Sequence, residues 1–259
     1  MGVPAVHGVI ARRLLVNYRV DPATIARILP LPFRPKRVDG YAVAGICLIR
    51  LSEIRPRGFP SVLGLGSENA AHRIAVEWEQ DGVTREGVYI PRRDTNSRLN
   101  TMLGGRLFPG VHHHARFAVH EDADRFSVAL RSTDGDTVVE VIARLAPSLP
   151  SHSVFTSLSG ATSFFEKGAA GYSPAARPDR LQGLELRTQD WRLEPLAVDH
   201  VTSSFFEDTT NFPSGAATFD SAFLLRDVRH EWHALPPLWT TVTGETTPRL
   251  ITAHPGSLR

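Results

Sequence analysis

Three consecutive histidines, His112, His113 and His114, follow the stretch Gly105-Arg106-Leu107-Phe108-Pro109-Gly110-Val111, where a Gly/Pro turn opens a strand. Histidine titrates nearest neutral pH, so it can serve as acid, base, metal ligand or polar filler. Strand alternation gives His112 and His114 one face and His113 the other. An inward His113 can move a proton or hydrogen-bond a carbonyl. Inward His112 and His114, joined by Glu68 or His72, would instead resemble a divalent-metal site. Two ligands on one strand are half of such a site, and no metal is expected.

Other chemistry-bearing residues carry weaker signals. His230-Glu231-Trp232-His233 lies near the last strand and reads as a strand end with an aromatic plug. The single cysteine, Cys47, sits in the apolar run Ala42 to Leu51 and reads as a buried structural thiol. It can form no intramolecular disulfide, so nothing points to an oxidising compartment. The chain has no G-x-S-x-G elbow, P-loop or G-x-G-x-x-G fingerprint; Gly64-Leu65-Gly66 lacks the third glycine. ATP and NAD are therefore not implied, and no cofactor is expected.

Strand signals outnumber helix signals among the elements that must position these residues. Val9 to Arg19 is apolar and β-branched, and Asp21-Pro22 then caps a short helix that Pro30-x-Pro32 stops. Tyr41 to Ser52 is the next strand. His72 to Glu79, the Asp81-Gly82 turn and Thr84 to Ile90 form a hairpin. Asp94 to Leu107 reads as a helix running into the histidines. His112 to His120, Arg125 to Ser132 and Thr137 to Leu145 form an antiparallel meander turning at Asp134-Gly135-Asp136. Ser153 to Glu166 reads as a helix, Gly168 to Arg180 as a loop, Gly183 to Trp191 as a strand, Ala197 to Phe206 as a helix and Ser221 to Trp232 as the last strand. This is a strand-rich α+β pattern in a single domain, residues 1–248, with a tail at 249–259.

Composition bounds the partners. A chain of 259 residues with 42% hydrophobic and 22% charged residues is large enough for a sizeable core. The formal net charge is only +2, and acids interleave with the arginines, so no basic run argues for nucleic acid. No run approaches the ~18 apolar residues of a membrane span, and the N-terminus lacks a signal-peptide core. A cytoplasmic protein acting on a small molecule is expected; self-association is left open. Of the 29 basic residues only Lys36 and Lys167 are lysines.

Several phrases, in order, resemble the acetoacetate decarboxylase-like superfamily. They are Leu15-Val16-Asn17-Tyr18-Arg19-Val20-Asp21-Pro22, Ile28-Leu29-Pro30-Leu31-Pro32-Phe33, Gly66-Ser67-Glu68-Asn69 and Gly105-Arg106-Leu107-Phe108. The Arg55-Pro56-Arg57-Gly58 loop and Trp191-Arg192-Leu193-Glu194-Pro195-Leu196 are similar to a bacterial branch known as a domain of unknown function. The resemblance spans roughly residues 9–235. It implies a cone-shaped, partly open antiparallel β-barrel with short peripheral helices and a small-molecule cavity.

That superfamily is known for decarboxylating β-keto acids through a lysine Schiff base. A gapless match from Gly105 places its lysine on His113 and the adjacent lysine on His114. Imidazole forms no stable iminium, so Schiff-base decarboxylation at this position is excluded. The resemblance puts the family's active-site glutamate on or beside Glu68, and its N-terminal arginine on Ala11, or on Arg12 with a shift of one. Glu68 and His113 are thereby the catalytic candidates. Arg12, Arg106, His112 and His114 are the substrate-binding ones, a guanidinium being suited to a carboxylate.

Two classes of function fit. One is an enzyme acting on a carbonyl or carboxylate compound by acid–base chemistry, such as a lyase, hydratase, isomerase or cyclase. The other is a non-catalytic ligand-binding protein that has lost the ancestral decarboxylase activity. A Glu68 locked in a salt bridge favours binding; a free Glu68 facing a buried histidine favours catalysis.

Overall fold

The computed structural model describes residues 6–56, 64–102, 110–188 and 191–240. Among these residues thirteen strands form one sheet: β1 (Val6–Val20), β2 (Arg34–Pro35), β3 (Arg37–Val38), β4 (Tyr41–Pro56), β5 (Leu65–Gln80), β6 (Val83–Thr95), β7 (His113–Glu121), β8 (Arg125–Ser132), β9 (Val138–Leu145), β10 (Ala170–Pro174), β11 (Arg180–Thr188), β12 (Glu194–Ser203) and β13 (Ala217–Trp239). The four helices among the described residues are short: α1 (Pro22–Ile28), α2 (Arg98–Met102), α3 (Leu158–Lys167) and α4 (Ser204–Glu207). None is long and apolar enough to cross a membrane.

Local chemistry explains the best-defined elements. Asp21 accepts the Thr24 N–H at 2.8 Å, and Pro22 follows it at the start of α1. Asp81 and Gly82 both have positive φ, 53° and 73°, the requirement of the tight turn that joins β5 to β6. The meander β7-β8-β9 is antiparallel throughout.

Long-range pairing closes the sheet twice. Strands β6, β7, β8, β9, β12, β13, β1, β4 and β5 form a ring of nine, because β5 and β6 also pair. Strands β10 and β11 bridge β6 to β13, so they and the wall β13-β1-β4-β5-β6 enclose a second ring. Pairing is antiparallel except at β6–β7 and β6–β10, where two residue pairs each run parallel.

Alternation then supplies two cores. Leu14, Val16, Tyr18 and Val20 of β1 face the nine-strand ring with Val128, Leu130, Val141 and Leu224. Leu15 faces the other way, with Phe155, Phe223 and the α3 residues Phe164 and Phe165. Gly45 lets β1 and β4 approach: a Cβ there would lie 2.2 Å from the Val16 carbonyl oxygen.

Three segments differ in type from the sequence expectation, and the helix expected over Ser153 to Glu166 starts only at Leu158, after its Ser157 cap. Asp94 and Thr95 end β6 rather than capping a helix, because the buried Asp94 is held by Arg92; only α2 is helical, and residues 103–107 lie outside the described ones. The segment expected to be a loop contains β10, whose glycine and small residues fit between β6 and β11. Ala197 to Phe206 is mostly β12: pairing with β9 overrides the helical reading, and only α4 turns helical. The tail at 249–259 lies outside the described residues.

Candidate active site

The second ring encloses a cavity of about 130 Å³. Arg13 of β1, Cys47 of β4, Arg73 of β5 and Arg93 of β6 border it, with His112, Trp191 and Trp232. Arg13 Nε donates to Cys47 Sγ at 3.1 Å, and its guanidinium lies 5.5 Å from the Trp191 ring centroid. Arg73 is only 3% exposed; it donates to Asn17 Oδ1 and stacks 4.8 Å from the Phe165 ring. Arg93 Nε donates to Ser173 Oγ at 2.9 Å.

Among the described residues, none of these three arginines is ion-paired to a carboxylate. Asp94 borders the same space, but Arg92 engages both its oxygens at 2.9–3.2 Å. Burial pushes Arg73 and Arg93 down to about 10, which leaves both charged at neutral pH; the Cys47 sulfur opposes that shift. Arg73 is buried and Arg13 and Arg93 are half-buried without a carboxylate partner among the described residues, an arrangement that is costly to the fold and that an anion in the cavity would offset.

His112 is the imidazole of the cavity wall. Burial first, then the neighbouring Arg93 charge, pushes it down to about 4, so it is neutral near pH 7. Its Nδ1 lies 3.2 Å from the Gly110 carbonyl oxygen, which can only accept. The proton therefore sits on Nδ1 and the lone pair on Nε2. Gly110 is required here: φ is +91°, and a Cβ would lie 2.6 Å from Ser173.

The remaining sequence candidates lie elsewhere. Arg12 and Glu68 meet on the opposite face of the shared wall, in a closed ion-pair ring. Arg12 donates to Glu68 and Glu121 at 2.5 Å each, and Arg50 donates to the same two carboxylates at 2.5 and 2.9 Å. His113 opens β7 on the face of core residue Ala115, and its Nδ1 lies 2.8 Å from Asp134 Oδ2. Asp134 also accepts from Arg92. The His114 backbone carbonyl accepts from the Thr133 amide and hydroxyl, and its side chain is half-buried outside the cavity. The alternation expected across the triplet does not reach His112, because β7 begins at His113. Arg106 lies outside the described residues.

His230 is buried against Trp232 with ring centroids 4.3 Å apart, and burial pushes it down to about 4. Among the described residues, no three His, Cys, Asp or Glu side chains gather to hold a metal ion. Both lysines are described and neither borders the main cavity. Lys36 pairs with Glu86 at 2.5 Å beside a small neighbouring void, and Lys167 is exposed at the end of α3.

Sequence reasoning missed Arg13, Arg73, Arg93 and the cavity position of Cys47. Arg73 alternates with the apolar face of Ile74, Val76 and Trp78, so it reads as solvent-facing until a second ring is known to cover it. The doublets Arg12-Arg13 and Arg92-Arg93 were the available signal: each must place one guanidinium on either face of its strand.

Comparison with solved structures shows the fold. Acetoacetate decarboxylase from Legionella pneumophila aligns with a TM-score of 0.56 at 10% identity, covering 91% of this chain and 88% of that one. An acetoacetate decarboxylase-like enzyme from Sphingomonas wittichii RW1 gives 0.56 at 12%, covering 92% and 93%. The enduracididine biosynthesis enzyme MppR, complexed with the condensation product of pyruvate and imidazole 4-carboxaldehyde, gives 0.57 at 15%, covering 92% and 90%. No curated protein matches the chain. The fold is thus acetoacetate decarboxylase-like, and the match over residues 10–221 shows that the chain belongs to the DUF2071 family of uncharacterized conserved proteins.

Proposed function

We propose that this protein binds a small carboxylate-bearing carbonyl compound in the arginine cavity and acts on it by acid–base chemistry, without a covalent amine intermediate. The observation that carries this reading is the trio Arg13, Arg73 and Arg93 around one cavity without a carboxylate partner among the described residues. Guanidinium forks match carboxylate geometry and are worth most where water is excluded. Neutral His112 supplies the base: Nε2 accepts a proton from the carbon beside the carbonyl, and a guanidinium stabilises the resulting enolate oxygen. Those lyase, hydratase, isomerase and cyclase reactions that run through an enolate begin this way. A role for Glu68 or His113 in that proton transfer has less support, since Arg12 and Arg50 hold Glu68 and Asp134 holds His113.

A second reading, a ligand-binding protein without catalysis, is favoured by that same clamped Glu68. Fold likeness to pyruvate-bound MppR supports a small-molecule ligand under either reading. The test is calorimetric titration with pyruvate, acetoacetate and malonate, alongside exchange of the α-protons of bound pyruvate in deuterated water. Binding that Arg93→Gln weakens by at least about tenfold is expected, with exchange that His112→Gln abolishes. Binding without exchange would select the second reading, and no binding of any carboxylate would overturn both.

A further inference from the structure

The cavity holds one group that acid–base chemistry does not use. Cys47 is the chain's only cysteine, 5% exposed, and it borders the arginine cavity rather than an apolar core alone. Arg13 Nε–H points at its sulfur from 3.1 Å. A thiol bond of this kind strengthens when the sulfur is ionised, because donor and acceptor then carry opposite charges.

The second observation is independent of the cysteine. Arg73, 97% buried by its 3% exposure, borders the same cavity; its Nε has no hydrogen-bond partner, and no carboxylate neutralises it among the described residues. Arg13 Nη1 is likewise buried without a partner. Arg73 and Arg93 border the same cavity as the sulfur, so three guanidiniums line the space that an electrophile would enter. The same charges draw an anionic reagent toward the sulfur.

We infer that Cys47 is a nucleophile selective for anionic electrophiles, and that the arginine cavity takes small carboxylates bearing a leaving group on the adjacent carbon. This rests on the anion-binding reading of the same cavity. In the step, the thiol proton passes to solvent and the sulfur electron pair forms a C–S bond. The leaving group departs with the electrons of the broken bond, so no oxidant or co-reactant is needed.

The test compares alkylation of the full chain by iodoacetate and by iodoacetamide, followed by mass spectrometry; a single cysteine makes the count unambiguous. Relative to glutathione under the same conditions, the iodoacetate-to-iodoacetamide rate ratio is expected to rise at least about tenfold, the low end of electrostatic focusing in a charged cleft. Arg93→Gln should reduce that ratio toward the glutathione value, and unreactive malonate should protect Cys47. A ratio equal to that of glutathione, or no alkylation by either reagent, would overturn the assignment. Malonate binding measured by calorimetry on the same samples tells whether the anion site itself survives that failure. If Arg93→Gln does not fold, malonate protection of the wild-type chain decides the matter.

Discussion

Arg12 and Arg13 are consecutive on β1 and face opposite compartments. Arg12 is neutralised by Glu68 and Glu121 inside the nine-strand ring, whereas Arg13 turns to Cys47 in a cavity where, among the described residues, no carboxylate pairs with it. On the proposed function one arginine serves the fold and the other a ligand, and substitutions on the two sides should separate accordingly.

On the fold side, Glu68→Gln leaves Arg12 and Arg50 short of a counter-charge in a nearly enclosed ring. Breaking a buried pair costs about 3–5 kcal/mol, and Arg50's partial exposure puts this case at the lower end. Urea denaturation should show the loss as a lower midpoint. Carboxylate affinity of the folded fraction should stay within about twofold of wild type, since the substitution lies beyond the shared wall.

On the ligand side, Arg93→Gln should weaken carboxylate binding by about 10- to 100-fold, the equivalent of one charged hydrogen bond of about 1.5–3 kcal/mol. Because Arg93 has no carboxylate partner among the described residues, its melting temperature should not fall. Calorimetry and thermal denaturation of the same sample check both halves. A drop in melting temperature with unchanged affinity would make Arg93 a structural residue.

The histidines set an acid limit on stability. Burial lowers His72 from 6.5 to about 3, and lowers His112 and His230 from 6.5 to about 4. Each is neutral in the native protein but protonates near 6.5 once unfolded, so the unfolded state gains protons first as pH falls. Stability should be full above about 6.5 and decline through the window down to about 4 for His112 and His230, and about 3 for His72. Urea midpoints between pH 7 and 4.5 measure this, and His230→Phe should flatten the slope.

Borohydride should trap no adduct when the protein is incubated with acetoacetate or pyruvate. Lys36 is held by Glu86 and Lys167 is exposed, so neither amine meets a carbonyl in the main cavity. Intact-mass measurement checks it, and a lysine-linked adduct would sink the non-covalent reading.

The α+β strand-rich class, the first helix with its Asp21 cap, the Asp-Gly turns and the meander were legible in sequence, because caps, turns and period-two alternation are local. Strand β10 and the strand character of Ala197 to Ser203 were not, since their partners lie far along the chain. Composition alone settled that only two lysines exist. Alternation likewise fixed that Arg12 and Arg13, or Arg92 and Arg93, must face opposite ways. Which face is enclosed, and by what, was decided by long-range closure: β10 and β11 cover the wall, so that Arg73 is buried, Arg93 is half-buried and Cys47 borders the same cavity. Pattern gives relative direction along a strand; only pairing between distant strands determines which direction leads into a cavity.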